Sequence, residues 1–540
     1  MGIFIYLAIS KSVTSHEWEK VYAETLKCIE AFPLAEIKNV SIQGIETICL
    51  VRTEETRNTD GKDTKSSWSA HGDYVTMHSA EKYYLSNKTI GDKWEPNAGD
   101  AMLGILPVYF NYNPEEPRFN HIYDIWGAKT QGEPYHIYLL AIACLIEARL
   151  GEKAFIYGEI TRGQCRRAVE IVNEQLDIPI DMPARCDIER FFKRVSKLPL
   201  SEEEKLRVFT ELFLGNQDSD FRKRVRMLFS AEAFRKYWEK CFHQYSVGSY
   251  GFNDVLHKYL LWGFDLDTLC DLVDFEGENS DSQYEKFVKS IMDTKLYVVE
   301  KDCTDVLDID MEEEQPYSIA TLFAQFMFAG ARNKNVERYI PLSEIKSTLR
   351  SKLAGKCDVE KIIDDYLNNE KRLHDMAENE ENLTEQERDE VTINNASHIF
   401  NSYVNAGTEK MKRDYENYDI SDYEDLIFYE KGDTIRPGIE DNLKEIFDFY
   451  QGLLEEEHYK TLLAGAPHRR CEWLVEQNRS LLLRDKDWEK IFIDIEENQE
   501  SFARYYPMVR VQLNSDGIAA IIKGLVINDD LYRYCVESRK

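Results

Sequence analysis

The 540-residue chain has no apolar run long enough to cross a bilayer. Its longest internal one, Ile137 to Ile146, is about half of the roughly 20 residues that a membrane helix needs. The apolar N-terminus carries no basic residues ahead of its hydrophobic stretch and runs into Lys11, so it reads as a strand rather than a signal peptide. Paired cysteines are missing as well. The eleven cysteines are scattered singly and are odd in number, with no C-x-x-C pair. That pattern argues against a disulfide scaffold and for reduced thiols in the cytoplasm.

The motifs of common catalysts are absent too. Neither a P-loop nor a dinucleotide fingerprint has its glycines, and no H-E-x-x-H or EF-hand loop occurs. Val247-Gly-Ser249-Tyr-Gly251 lacks the first glycine of a nucleophile elbow. No repeat of solenoid period is visible. Basic residues are short in supply, with 67 Lys and Arg against 98 Asp and Glu, for a net charge of -31. Such a field repels polyanions, which disfavours DNA, RNA and anionic membrane as general partners and favours a basic protein.

What is present is enough apolar material to fold: 43% hydrophobic and 12% aromatic residues. Single cores stop growing near about 250 to 300 residues, so several domains are expected. The acid is unevenly distributed. Residues 271 to 320 hold 15 acids against 4 bases, and 361 to 460 hold 27 against 11. Nearly all of the net charge therefore sits in these two stretches.

Periodicity predicts an α+β fold: a mixed α/β portion over 1–187, a mainly helical portion over 188–375, and a helical C-terminal portion over 392–540. Residues 3 to 9 form a buried strand, Thr14-Ser-His-Glu17 is a capping box, and two strands turn at Gln43-Gly44. The polar stretch 53–72 reads as a mobile surface loop. A second unit follows, with a helix over about 135–150, a break at Gly151, a strand Ala154 to Tyr157 and a helix capped by Thr161. Pro179 to Pro183 predicts a short edge strand. Ser201 and Ser230 open helices, and 296–310 predicts a small β insert. Residues 187 to 240 form one basic district, which either docks against the chain's own acids or meets an external anion.

Three groups of residues carry candidate chemistry. Thr161, Arg162, Gly163 and Gln164 lie at a strand-to-helix turn, where backbone N–H groups and the helix dipole can hold an anion; the plainer reading is a capped structural helix. His121, Asp124 and His136, with Glu133 between them, offer imidazole and carboxylate to a metal such as zinc or iron; the plainer reading is structural histidines. His71, Asp73 and His78 are a looser companion to this second group. In the third, Tyr415, Tyr418 and Tyr423 are interleaved with Asp414, Glu416, Asp419, Asp422, Glu424 and Asp425. Acid and aromatic side chains on one surface suit the gripping of arginine and lysine; alternatively the tyrosines pack inward.

The functional expectation is an intracellular interaction protein, of the immunity, inhibitor or assembly-subunit type, whose acidic helical half engages a basic partner. The alternative is an enzyme or small-ligand sensor with an anion or metal site in the N-terminal portion. No motif specifies a cofactor.

Overall fold

The computed structural model describes residues 2–59, 61, 63–88, 94–110, 112–117, 119, 121–275, 280–298, 314, 338–378, 420–509 and 516–539. The chain is α+β; among the described residues the strands lie within the first 158 and helices dominate thereafter.

Strand β1 (Phe4–Ser10) leads into helix α1 (Ser15–Ala31). Thr14 and Glu17 form the expected capping box at its start, each side chain bonding the other's backbone N–H. The hairpin of β2 (Leu34–Ile42) and β3 (Ile45–Arg52) follows. Its two-residue turn places Gln43 at φ 52° and Gly44 at φ 84°, the left-handed pair that matches the twist of the flanking strands.

The stretch 53–72, expected as a loop, instead contains β4 (Thr56–Thr59) and most of β5 (Thr64–Asp73), which pairs in turn with β6 (Ser79–Ser86). Its composition conceals a period-two pattern: Ser66, Trp68 and Ala70 are buried at alternate positions. The Trp68 indole N–H donates to Thr25 Oγ1 at 3.1 Å, so a polar-looking segment carries a core residue.

Helix α2 (Ala101–Phe110), β7 (Ile122–Lys129), α3 (Tyr135–Leu150), β8 (Ala154–Gly158) and α4 (Arg162–Asn173) complete the N-terminal portion. The strands form two antiparallel sheets, one ordered β7-β1-β8 and a five-stranded one running β3-β2-β5-β4 with β6 on β5. Helix α3 is apolar around nearly its whole circumference because it is buried among β1, β8, α1 and α4. Each large side chain it buries contributes about 1.5 to 3 kcal/mol. The segment Pro179–Pro183 is not a strand. Asn173 takes both backbone groups of Ile180, accepting its N–H at 2.8 Å and donating to its carbonyl at 3.0 Å, which removes the bonds a neighbouring strand would need.

Helices α5 (Ile188–Ser196), α6 (Glu202–Leu212), α7 (Ser219–Leu228), α8 (Ala231–His243), α9 (Tyr250–Leu261), α10 (Leu266–Leu272) and α11 (Ser280–Asp293) come next. Ser201 and Ser230 cap α6 and α8 as expected. Helices α12 (Leu342–Lys352) and α13 (Val359–Glu378) share their core. Of the predicted β insert at 296–310, residues 296–298 form a turn and the remainder lies outside the described residues, as does the boundary region beyond 378.

Three cores organise these elements. One joins α2, one face of β1 and β8, and the helices from α5 to α13. The second lies between the other face of that sheet, α1, α3 and α4. The third packs the outer face of the β2–β3 hairpin, through Ala35, Ile42, Ile45, Cys49 and Leu50, against the C-terminal helices. Among the described residues no helix is long and apolar enough to cross a membrane.

Candidate functional site

The four residues of the strand-to-helix turn do come together, as a reciprocal cap. Thr161 Oγ1 accepts the Gln164 N–H at 3.0 Å, and Gln164 Oε1 accepts the Thr161 N–H at 3.0 Å. Both side chains are buried, Gly163 is buried beside them, and Arg162 Nε donates to the Cys186 carbonyl at 3.2 Å. Arg166, one turn on, pairs with Glu314 at 2.6 Å. The Thr161 and Gln164 N–H groups, Arg162 Nε and the Arg166 guanidinium are thus engaged within the protein.

The predicted metal ligands are not gathered. His136 is buried in α3 with Nδ1 2.7 Å from Thr130 Oγ1, and burial, only partly offset by a hydrogen bond to Gln164, pushes its imidazole down to about 3. His121 Nδ1 lies 2.5 Å from Glu95, which also holds Lys11 at 3.3 Å. Asp124 sits exposed on β7, with partial desolvation raising its carboxyl. Among the described residues no three His, Cys, Asp or Glu side chains are placed to hold a metal ion. His71, Asp73 and His78 likewise diverge: Asp73 accepts the backbone N–H groups of Val75 and Thr76, and His78 faces Glu133 and Glu424.

Within the acid and tyrosine segment, Asp414, Tyr415, Glu416, Tyr418 and Asp419 lie outside the described residues. The described part faces largely inward. Tyr423 is buried and its phenol accepts from Asn442 at 2.7 Å. Asp422 pairs with Arg436 at 2.6 Å, and Glu424 with His78 Nε2 at 3.0 Å. Asp425 is exposed on the following 3-10 turn.

Sequence reasoning missed the loop Asp73–His78, which ties the N-terminal sheets to the C-terminal helices. The Tyr74 hydroxyl donates to Asp485 at 2.9 Å, and the cations of Arg52, Arg484 and Lys486 lie 5.4 to 5.7 Å from its ring centre. Met77 enters the C-terminal core and its carbonyl accepts from Lys523. His78 closes the contact. Burial opposes its charge, but the bonds to Glu133 and Glu424 outweigh burial and raise its imidazole to about 9. No local motif marks such a hub, because its partners come from the far end of the chain.

A second missed network is internal. Arg194 on α5 is buried and forks onto Asp100 at 2.8 and 2.9 Å, with Glu147 at 3.5 Å. Glu147 also accepts the Ile156 N–H at 2.8 Å, and Arg185 and Arg194 both ride over the Phe155 ring. Six cations of the basic district are engaged locally in the same way. Arg194, Lys197, Arg224, Arg235, Lys236 and Lys240 pair with Asp100, Glu147, Glu152, Glu189, Glu232, Glu239 and Glu203. All of these carboxylates lie outside the stretches 271–320 and 361–460. A cavity of about 520 Å³ between α6 and α8 is lined by several of these same pairs.

The face of the β7-β1-β8 sheet that gives Ala8, Phe155 and Tyr157 to the first core leaves Phe4 and Tyr6 half-buried. There Phe4, Tyr6 and Tyr157 stack in a row, with ring centres 5.3 and 4.7 Å apart and planes within 12°. Tyr109 meets Tyr157 edge-on at 6.2 Å. Across from Tyr6 the strand β7 has Gly127, where a Cβ would stand 3.3 Å from the Tyr6 ring. Asp124 and Glu159 flank the row, and Glu159 accepts the Phe4 N–H at 2.8 Å. No protein-family model, curated protein or solved structure matches the chain.

Proposed function

We propose that this chain is a cytoplasmic interaction protein whose acidic helical half engages a basic protein partner. The carrying observation is the local pairing of the basic district. Six of its cations, Arg194, Lys197, Arg224, Arg235, Lys236 and Lys240, pair with carboxylates outside the two acidic stretches, which supports acid in those stretches that is not spent on these six. With a net charge of -31, that surplus produces a negative field that accelerates encounter with a cation and weakens as salt rises. Ten of the eleven cysteines lie among the described residues and all are free thiols, which supports residence in a reducing compartment.

The inward use of Asp422, Tyr423 and Glu424 moves the expected contact away from the 422–424 end of the acid and tyrosine segment. Better suited are the outward acids of the helix Pro437–Leu453, where Asp441 and Glu445 are exposed on the side of Phe449, itself 52% exposed. Affinity capture from lysate at low and high salt tests the reading. Basic proteins released as salt rises are the expected result; capture only of neutral or acidic proteins, insensitive to salt, overturns it.

A further inference from the structure

Strand β3 is the outer strand of the five-stranded sheet. Because the turn at Gln43-Gly44 is two residues long, Ile42 and Ile45 face each other as a bonded pair, and backbone directions alternate along β3 from there. Ile45, Thr47 and Cys49 point to β2, while Glu46, Ile48 and Leu50 point outward. The Leu50 end of this edge is already in use: its N–H donates to the Leu483 carbonyl at 3.0 Å, and Arg484 lies beside it as a parallel bridge. The pairing stops there. Among the described residues the backbone N–H and C=O groups of Glu46 and Ile48 have no hydrogen-bond partner, although the ladder to β2 runs unbroken behind them. Edge strand β8 is closed by the protein's own side chains, with Glu147 taking the Ile156 N–H, Arg185 the Ile156 carbonyl and Arg194 the Ala154 carbonyl. The open span of β3 carries none of the usual blunting devices, proline, lysine or bulge. Ile48 is 62% exposed, and Glu46, Asn39 and Ser41 on the same face of the hairpin are exposed with it.

We propose that the open end of β3 accepts an extended segment of the basic partner as a further strand, with a lysine or arginine beside Glu46 and an aliphatic side chain beside Ile48. Main-chain bonds to the outward groups of Glu46 and Ile48 hold the segment, and the two side chains, which share one face, select it. Opposite charges and paired aliphatic groups stabilise neighbouring strands, whereas an acid beside Glu46 is repelled. A second copy of this chain is the less suitable occupant, because it would set one net charge of -31 against another. The inference rests on the proposed basic partner. It adds a binding edge outside the acidic half and a pattern for the partner to match: a basic residue, then an aliphatic one two positions away.

The test uses the full chain and short fluorescent peptides with blocked ends, followed by anisotropy. In the parent peptide every second residue is threonine, and the positions between alternate lysine and isoleucine, so that these share one face. A second peptide has glutamate at each lysine. Two further forms of the parent are N-methylated, one at the threonine amides and the other at the lysine and isoleucine amides. An added strand bonds through one side of its backbone, so one methylated form should lose about tenfold in affinity and the other should keep it. On the protein side, Ile48→Pro should weaken the parent peptide about tenfold and Glu46→Gln about threefold. Proline there removes an N–H that faces away from β2, so the hairpin keeps its ladder, and the methylated peptides put the same question to the native chain. If both methylated forms bind like the parent, strand addition is overturned while a charge-driven contact with a basic partner stands. If the glutamate peptide binds as tightly as the parent, with the same loss on Ile48→Pro, the edge stands and the basic occupant is overturned. A parent peptide that does not bind overturns the edge site, and a one-sided methylation loss that Ile48→Pro leaves intact overturns its assignment to β3. A dimer in sedimentation that Ile48→Pro dissolves identifies a second copy as the occupant and overturns the basic strand.

Discussion

His78 holds two carboxylates at once, and its position between β5 and β6 makes that bond a link between distant parts of the chain. Its raised folded value fixes the sign of the pH effect. An imidazole at about 9 when folded and 6.5 when unfolded stabilises the fold fully below pH 6.5, and that stabilisation is lost as pH rises through 9. The stability difference between the native chain and His78→Gln should therefore shrink across that window in urea titrations. Arg194 presents a different case. Removing it strands Asp100 and Glu147 in a buried setting, so Arg194→Met should destabilise by about 3 to 5 kcal/mol, readable as a lowered melting temperature. Replacing only Glu147 with Gln leaves the Asp100 fork intact and should cost less.

At the level of elements, caps were legible and faces were not. Thr14, Thr161, Ser201 and Ser230 each cap the helix that their side chains announce, because a cap is a local bond between residues three apart. Thr161→Ala should therefore cost about 1 kcal/mol in chemical denaturation, and added inorganic phosphate should not stabilise the native chain. The strands at 56–73 escaped notice because their core side chains, Trp68 and Ala70, are diluted among serines and charges. The edge strand predicted at Pro179–Pro183 failed for another local reason, the Asn173 side chain acting as a substitute strand. Strand β1 shows the limit most directly. Phe4, Ile5, Tyr6, Leu7 and Ala8 are all apolar or aromatic, so nothing in their order reveals that Phe4 and Tyr6 are half-buried while Ile5 and Leu7 are fully buried. The candidate metal ligands illustrate the same problem, since spacing brought His121 and His136 close in sequence while strand β7 runs between them.

For the whole molecule, charge asymmetry could be counted from the sequence, but which acids are engaged could not. Glu424 answers to His78, and Asp448 to Arg539, across long stretches of chain. A net charge of -31 also acts against compactness, so moderate salt should raise the melting temperature by screening self-repulsion while it weakens binding of a basic partner. Opposite responses of stability and association to the same titration would distinguish this protein from one whose surface charge is merely balanced.

The hairpin β2–β3 carries a consequence in time. Its outer face is covered by helices made much later: Leu50 bonds Leu483, and Tyr74 reaches an aspartate 411 residues further on. On a ribosome adding about 5 to 20 residues per second, Ile42, Ile45, Cys49 and Leu50 wait roughly 20 to 80 s for their cover. Nascent chains arrested before residue 420 should therefore aggregate or recruit a chaperone through this hairpin, and Leu50→Ser should relieve that tendency in the arrested chain while destabilising the finished protein.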